Sequence, residues 1–260
     1  MNRHVRLGIN IDHVATLRNA RGGDTPKVIE AAKVVEESGA DLITVHVRED
    51  RRHINEKDLG NILDTVNIPV NLEIAANSEM IDIAINYHPK FVCFVPENRK
   101  EITTEGGLDV INNFKELNKV LKSITDTEIN VSIFIDPDKE QIKAVNDLGI
   151  STVEFHTGSY ANAFIKNRNI DKEFKKIEEN VIFAKEKGIN CHAGHGLTFE
   201  NVAKIAGLPD IIELNIGHFI IADSIFNGLQ NSILKMRNII TKASILSLIH
   251  ISEPTRQVLI

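Results

Sequence analysis

Several residues that can do acid–base chemistry stand where a short apolar run of the sequence ends. The stretch TVHVREDRRH (Thr44–His53) begins with β-branched residues and then places His46, Arg48 and His53 close together. A packed core segment does not explain so many ionisable groups, because burying them without partners is costly. An imidazole exchanges protons near neutral pH, and a guanidinium can hold an anion. The plainer interpretation is a solvated loop with one structural histidine, and the other strand ends decide between the two.

Other apolar runs carry polar side chains at the same place, their carboxyl ends. The residues concerned are Asn10, Asp12, His13, Glu154, His156, His192, Gly194, His195, Glu213, Asn215, Gly217 and His218. Glu73, inside VNLEIA, is the hardest to explain as structural, because a carboxyl among aliphatic side chains must be paired or protonated. Burial would raise its pKa and suit it to proton transfer near neutral pH. This repetition favours an enzyme.

Two glycine-containing turns have the character of phosphate-binding sites. The turn AGHG (193–196) leads toward a helix predicted at 198–206, and NIGH (215–218) leads into the last helix. Glycine lets backbone N–H groups approach an anion, and a helix N-terminus adds partial positive charge. The basic group around Arg48 and His53 could hold a second anion. The pattern therefore predicts two phosphate sites, and hence two phosphorylated substrates that are joined.

The elements that must position these residues alternate between strand and helix. Strands are predicted at 5–11, 40–47, 69–74, 91–95, 130–135, 152–156, 190–193 and 211–216. Helices are predicted at 26–39, 56–66, 78–88, 114–124, 138–148, 171–187, 198–206 and from 217 onward, with a loop after the first strand. Continuous apolar strands indicate a sheet covered on both faces. About eight such units predict an α/β fold, a single TIM (β/α)8 barrel with its active site at the C-terminal ends of the strands. A doubly wound open sheet is the alternative, but no G-x-G-x-x-G turn follows the first strand.

Composition narrows the functional classes. The chain has 260 residues and a net charge of −6, so a general nucleic-acid partner is not expected. No apolar run reaches the roughly 18 residues of a membrane span, so no membrane partner is expected either. Cys93 and Cys191 lie in strand-like runs and are interpreted as buried thiols in a reducing compartment. With no leader pattern before the first strand, the sequence predicts a cytoplasmic protein.

Taken together, the motifs resemble the pyridoxine 5′-phosphate synthase family of the deoxyxylulose-dependent vitamin B6 pathway. They extend from about Val5 to about Ser244 and cover nearly every strand end. The matching segments are GINIDHVATLRNARG (Gly8–Gly22), TVHVREDRRHI (Thr44–Ile54), NLEIA (Asn71–Ala75), FVPENRKEITTEGGLDV (Phe94–Val110), VSIFIDPD (Val131–Asp138), EFHTGSYA (Glu154–Ala161), AGHGLT (Ala193–Thr198) and ELNIGHFII (Glu213–Ile221).

The resemblance implies a TIM barrel that condenses 3-amino-2-oxopropyl phosphate with 1-deoxy-D-xylulose 5-phosphate. The products would be pyridoxine 5′-phosphate, inorganic phosphate and water, made without a metal or an organic cofactor. By matching motifs, His46 and Glu73 would accept protons and His195 would donate one. The amino-ketone phosphate would be held by Asn10, Arg21, Gly194, Gly217 and His218. The deoxyxylulose phosphate would be contacted by Asp12, His13, Arg48, His53 and Thr103. The resemblance also implies a homo-octamer built from dimers.

Two segments depart from an ordinary barrel of this kind. The long loop Pro96–Asp109 is interpreted either as a surface loop or as a lid hinged at Gly106 and Gly107, and it has Asn98 where the family resemblance leads us to expect a basic residue. The end of the chain, LSLIHISEPTRQ (Leu246–Gln257), does not continue the amphipathic pattern and resembles a translated sequencing-library adapter. We therefore expect a barrel domain over 1–244 and a non-native tail over 245–260.

Two other functions fit parts of the pattern. A metal-dependent TIM-barrel hydrolase would use some of the ten histidines, but it would need a His-x-His pair on the first strand, which ends instead in Asp12 and His13. A barrel that only senses a phosphorylated vitamer would need neither Glu73 nor a lid.

Overall fold

The computed structural model describes residues 3–97, 106–125 and 127–252, with the side chains of 246–252 excepted. Eight parallel strands form a closed barrel in chain order, β1 to β8, which confirms the predicted TIM barrel. The strands are β1 (Arg6–Asn10), β2 (Leu42–His46), β3 (Val70–Ile74), β4 (Phe91–Phe94), β5 (Asn130–Ile135), β6 (Thr152–His156), β7 (Asn190–Gly194) and β8 (Ile211–Ile216).

Helices follow the strands and cover the outside of the barrel. They are α1 (Asp12–Asn19), α2 (Val28–Glu37), α3 (Glu56–Thr65), α4 (Ser78–Tyr87), α5 (Phe114–Ile124), α6 (Lys139–Asp147), α7 (Gly158–Ile165), α8 (Ile170–Glu186), α9 (Val202–Ala206), α10 (His218–Asn227) and α11 (Leu229–Ser252). Their apolar faces and the outward side chains of the strands form one buried cluster. Each strand is thus covered from outside, which explains its continuous apolar character.

The structure corrects the sequence prediction in four places. Residues 12–19 form α1 and not a loop, because no glycine or proline interrupts them before Gly22. A short helix, α7, also fills the stretch left unassigned after β6. The predicted helix over 198–206 shrinks to α9, because the side-chain oxygen of Asn201 accepts from the Thr198 N–H at 2.7 Å and closes a turn there. Ser78, which the sequence favours as the N-cap of the helix predicted over 78–88, is instead its first residue. The N-cap of α4 is Asn77, whose side-chain oxygen accepts from the Met80 N–H.

The single last helix predicted from 217 onward is two helices, because Gly228, at φ 79°, separates α10 from α11. α11 continues to Ser252 through the stretch where the amphipathic pattern ends, and the helix-breaking Pro254 comes only after it. Its described buried side chains are Ser232, Ile233, Met236, Ile240 and Ser244.

Two further sequence predictions can be compared with the structure. Both cysteines are buried and free, as predicted. Among the helices of the described residues, none combines the length and the apolar character that crossing a membrane requires.

Candidate active site

Asn10 and Asp12, at the end of β1, hold each other in place. The Asn10 amide donates to Asp12 Oδ2 at 2.8 Å, and Asn10 Oδ1 accepts from the Asp12 backbone N–H at 2.9 Å. Asp12 Oδ1 accepts from the backbone N–H of His46 at 2.8 Å, which ties β1 to the end of β2. Burial raises the pKa of Asp12, although the His46 charge and these hydrogen bonds oppose the rise. The pair is therefore fixed before any ligand arrives.

Glu73 and His46 meet at the centre of the barrel mouth. β2 and β3 pair with His46 opposite Glu73, and His46 Nδ1 lies 3.9 Å from Glu73 Oε2. Burial, followed by the negative charges of Glu154 and Asp12, raises the pKa of Glu73 well above its usual value. A carboxyl of this kind accepts and returns protons closer to neutral pH than an exposed one. The prediction that burial raises the pKa of Glu73 is confirmed.

A further carboxylate, Glu97, holds the other side of the His46 ring. Glu97 Oε1 lies 2.9 Å from His46 Nε2, and Glu97 Oε2 accepts from the backbone N–H of Glu49 at 3.0 Å. Burial pushes the pKa of Glu97 upward, but the hydrogen bond and charge of His46 and the Glu49 N–H bring it below its usual value. From the sequence, Glu97 was only one residue of the long loop Pro96–Asp109. The signal that could have found it is its position just beyond β4.

Glu154 of β6 lies inside the barrel below these residues and is 3% exposed. The Asn215 amide donates to Glu154 Oε2 at 2.7 Å, while Asn215 Oδ1 accepts from the Thr44 hydroxyl at 2.9 Å. Burial and the charge of Glu213 raise the pKa of Glu154 to about 8, against the lowering effect of Asn215. The sequence placed Glu154 at a strand end without giving it a role. Its resemblance to Glu73, a carboxyl within an apolar strand, was the available signal.

Three histidines form a row along the rim. The ring centroid of His13 lies 5.6 Å from that of His53 and 4.9 Å from that of His218. Burial and neighbouring positive groups, first of all His13, lower the pKa of His53 to about 4. Burial and His218 also lower the pKa of His13. His13 and His53 are therefore neutral imidazoles near pH 7, and a bound anion would favour their protonated forms.

His195 lies next to a second imidazole. Its ring centroid is 4.9 Å from that of His156, whose Nδ1 hydrogen-bonds Asp136 Oδ1 at 2.9 Å. Burial, His156 and His218 lower the pKa of His195 to about 4. The backbone of His195 has φ 79°, a conformation that residues other than glycine rarely adopt. His195 is thus a neutral imidazole in the free protein at pH 7, and a bound phosphate would raise its pKa.

The two predicted phosphate turns differ in structure. α10 begins at His218 directly after Gly217, so the positive end of a ten-residue helix faces that turn, as predicted. The AGHG turn is not followed directly by a helix, since α9 begins only at Val202; that part of the prediction is wrong. A Cβ at Gly194 would collide with the Glu154 carboxyl, and one at Gly217 would lie 2.8 Å from Asn10 Cβ. The two turns therefore lie directly against polar side chains of the barrel interior and mouth, Glu154 and Asn10.

The remaining predicted site residues, Arg48, Arg21 and Thr103, differ in burial and in whether the structure describes them. Arg48 is buried, and its Nε lies 3.4 Å from Asp50 Oδ1, a long hydrogen bond for a guanidinium. Arg21 is exposed on the turn after α1, and within the described part of the chain no hydrogen bond or ion pair joins its side chain to the other candidates. Thr103 and Asn98 lie outside the described residues, as does most of the predicted lid.

One group of these side chains could also hold a metal ion. Asp12, His46 and Glu73 each offer one ligand atom, and these atoms lie within 4.8 Å of one another. The set is one imidazole and two carboxylates, a ligand combination that several divalent metals accept.

The fold and this site define a class: a TIM-barrel enzyme whose titratable side chains and glycine-containing turns gather at the C-terminal ends of the strands. The chain belongs to the family described as pyridoxal phosphate biosynthesis protein PdxJ, whose model matches residues 7–242.

Similar proteins support this membership. The pyridoxine 5′-phosphate synthase of Sulfurihydrogenibium sp. is 50% identical over 242 residues, covering 92% of this chain and 99% of that protein. That of Rhodospirillum rubrum is 48% identical over 237 residues, covering 91% and 95%. Among solved structures, KGPDC from Streptococcus mutans matches with a TM-score of 0.60 at 14% identity, covering 93% of this chain and 99% of that one. A likeness at such low identity shows the fold alone.

Proposed function

We propose that this protein condenses 3-amino-2-oxopropyl phosphate with 1-deoxy-D-xylulose 5-phosphate to give pyridoxine 5′-phosphate, inorganic phosphate and water. The observation that carries the proposal is the cluster at the barrel mouth, where His46 and the high-pKa Glu73 face one another beside the fixed pair Asn10 and Asp12. The names of the relatives, which share up to 50% identity over nearly the whole chain, support the same reaction.

The chemistry needs protons to move many times between fixed positions. Joining an amine to a ketone as an imine releases one water, and enolisation removes a proton from carbon. The later losses of inorganic phosphate and of a second water each need a proton at the departing oxygen. Glu73 and His46 are the bases for the carbon-bound protons, and the raised pKa lets Glu73 return the proton it takes. His195 donates a proton once a bound phosphate has raised its pKa from about 4.

The two phosphates would occupy different parts of the rim. The turns at Gly194 and Gly217, with His218 at the start of α10, offer backbone N–H groups and a helix N-terminus to one of them. The buried guanidinium of Arg48, with His13 and His53, would hold the other.

Acid–base groups suffice for this sequence of steps, so the proposal includes no metal and no organic cofactor. We also propose that the protein works in the cytoplasm, where its two buried thiols stay reduced, and as a homo-octamer built from dimers. Arg21, exposed on the turn after α1, would contact the phosphate of the amino ketone, as the family resemblance implies.

The test mixes both phosphorylated substrates with purified protein and follows pyridoxine 5′-phosphate by absorbance. Product should require both substrates and should disappear in Glu73→Gln, while Glu140→Gln, the same exchange at an exposed ion pair on α6, should leave the rate unchanged. Folded wild-type protein that forms no product would contradict the proposal. A Glu73→Gln variant with full activity would remove Glu73 from the mechanism.

A metal-dependent reaction is the second candidate, because Asp12, His46 and Glu73 lie close enough to share an ion. Metal analysis of the purified protein and an assay after chelation distinguish the two. Full activity in metal-depleted protein excludes the second candidate, and activity that returns only with a divalent ion favours it.

A further inference from the structure

Glu97 makes two hydrogen bonds that fix the orientation of a catalytic imidazole. One oxygen is 2.9 Å from His46 Nε2, and the other accepts from the backbone N–H of Glu49 at 3.0 Å. The side chain of Glu97 is 4% exposed and that of His46 is 8% exposed, so water does not compete strongly for either contact. The backbone N–H of His46 is itself held by Asp12. His46 is thus held at two points, its backbone N–H and the Nε2 atom of its ring.

These contacts also determine where the ring carries its proton. A backbone N–H can only donate, so the Glu97 oxygen that faces Glu49 is an acceptor. The oxygen that faces His46 is an acceptor as well, since a carboxylate has no proton to donate. Nε2 must then carry the hydrogen, and Nδ1 presents its lone pair toward Glu73, 3.9 Å away.

We infer that Glu97 is a positioning residue, which keeps His46 as the Nε2–H tautomer so that Nδ1 is free to accept a proton from the substrate. The inference deepens the proposed function and rests on it for the role of His46. The other charged or titratable groups around this ring are Asp12, Arg48, His53 and Glu73. None of these is within hydrogen-bonding distance of Nε2 among the described contacts, so Glu97 is the residue that decides the tautomer.

Glu97→Gln is the informative change because an amide cannot accept at both ends. Its oxygen is needed by the Glu49 N–H, which leaves the NH₂ group facing His46 Nε2 and makes that nitrogen an acceptor. The ring proton would move to Nδ1, and the base would lose its lone pair toward the substrate. We expect kcat to fall by about 10²-fold or more, the usual contribution of a general base, with little change in the KM of either substrate.

The tautomer itself can be read by ¹⁵N NMR of protein labelled in its histidine rings. The His46 signals are the ones that disappear in His46→Asn. Wild-type protein should show the Nε2–H tautomer and Glu97→Gln the Nδ1–H tautomer. Glu79→Gln is the matched control, because it makes the same exchange at an exposed carboxylate that pairs with Arg51. It should change neither the kinetics nor the His46 signals.

The outcomes separate this inference from the proposed function. A wild-type protein that forms no product contradicts the proposed function, yet its spectrum still tests the tautomer. A wild-type His46 found as the Nδ1–H tautomer overturns the inference, as does a Glu97→Gln variant with unchanged kcat. If Glu97→Gln does not fold, Glu97→Ala removes the acceptor that faces Nε2 and should lower kcat and leave His46 as a mixture of the two tautomers. A folded Glu97→Ala protein with unchanged kcat also overturns the inference.

Discussion

The Asn215 amide on β8 donates to Glu154 Oε2 on β6 at 2.7 Å, reaching across the barrel interior past β7. The amide cannot turn around, because its nitrogen also donates to the Glu213 carboxylate at 3.1 Å, while its oxygen accepts from the Thr44 hydroxyl. Oε2 of Glu154 is therefore an acceptor, and a proton on this carboxyl belongs on Oε1. A side chain at Gly194 would collide with that same Oε1, so the proton lies directly beneath the turn proposed to bind phosphate.

This arrangement predicts how stability depends on pH. The folded-state pKa of Glu154 is about 8, against 4.5 for the ordinary group, so the native protein keeps a proton that the unfolded chain has lost. Between these two values the unfolded state binds fewer protons, and the free energy of unfolding should fall as pH rises. Glu154→Gln should flatten that part of the profile. Urea midpoints across this range measure it, and an identical slope in the variant would contradict the pKa.

The strand ends were predictable because burial and periodicity are properties of the chain itself. Glu73 stood out within VNLEIA since a carboxyl there has no local partner, and its pKa follows from that burial. The partners of these residues were not predictable. Glu97 contacts His46, 51 positions away, and Asp136 contacts His156 from the neighbouring strand's loop. Such pairs depend on how the strands register, and no local pattern encodes that.

The predicted boundaries of the helix over 198–206 were wrong for a related reason, a side-chain hydrogen bond. Asn201 ends the predicted helix over 198–206 early by bonding the Thr198 N–H with its side chain, which a propensity argument does not weigh. Because of this turn, α9 begins only at Val202, and no helix N-terminus lies directly after the AGHG segment. One of the two predicted phosphate sites therefore lacks the helix that the sequence led us to expect.

Phosphate binding should be coupled to proton uptake. His195 and His53 each have a pKa of about 4 in the free protein, lowered first by burial and then by neighbouring histidines and, for His53, arginines. A phosphate dianion among them would favour their charged forms, so binding near pH 6 should draw protons from the buffer. Titration calorimetry of sulfate, a dianion with no proton of its own to release at this pH, in buffers of different ionisation enthalpy counts those protons. Equal heats in all buffers would show that the histidines stay neutral.

Gly194→Ala should remove activity while leaving the barrel intact. Its Cβ would collide with the Glu154 carboxyl and lie 3.0 Å from the Asn215 carbonyl oxygen, so Glu154 must move. We expect at least about a tenfold loss of kcat, equal to about 1.4 kcal/mol of the barrier. Gly23→Ala is the control, because a Cβ there meets no atom within 4 Å and the residue has no positive φ. Equal rates for the two variants would show that the contact is harmless.

Ending the chain at Ser244 should leave the fold unchanged. The family match ends at residue 242 and the last described buried side chains of α11 are Ile240 and Ser244, so we expect removal of residues 245–260 to change the free energy of unfolding by less than about 0.5 kcal/mol. Ile240→Ala in the full chain should instead destabilise it by about 2–5 kcal/mol, because it leaves a cavity. Denaturant unfolding compares the three proteins. A large loss on truncation would show that residues beyond 244 contribute to the packed structure and would contradict a dispensable tail.

The polar residues of this barrel continue far below its mouth. Arg6 pairs with Glu213 at 2.8 Å, and Glu213 contacts His192 at 3.0 Å and accepts from Asn215 at 3.1 Å. Asn215 then leads up to Glu154. Transplanting only the rim loops onto another barrel scaffold would therefore not transfer the chemistry, because the recipient would supply an aliphatic interior beneath them. An engineer who wanted to reuse this site would have to move the inner faces of β1, β6, β7 and β8 together with the loops.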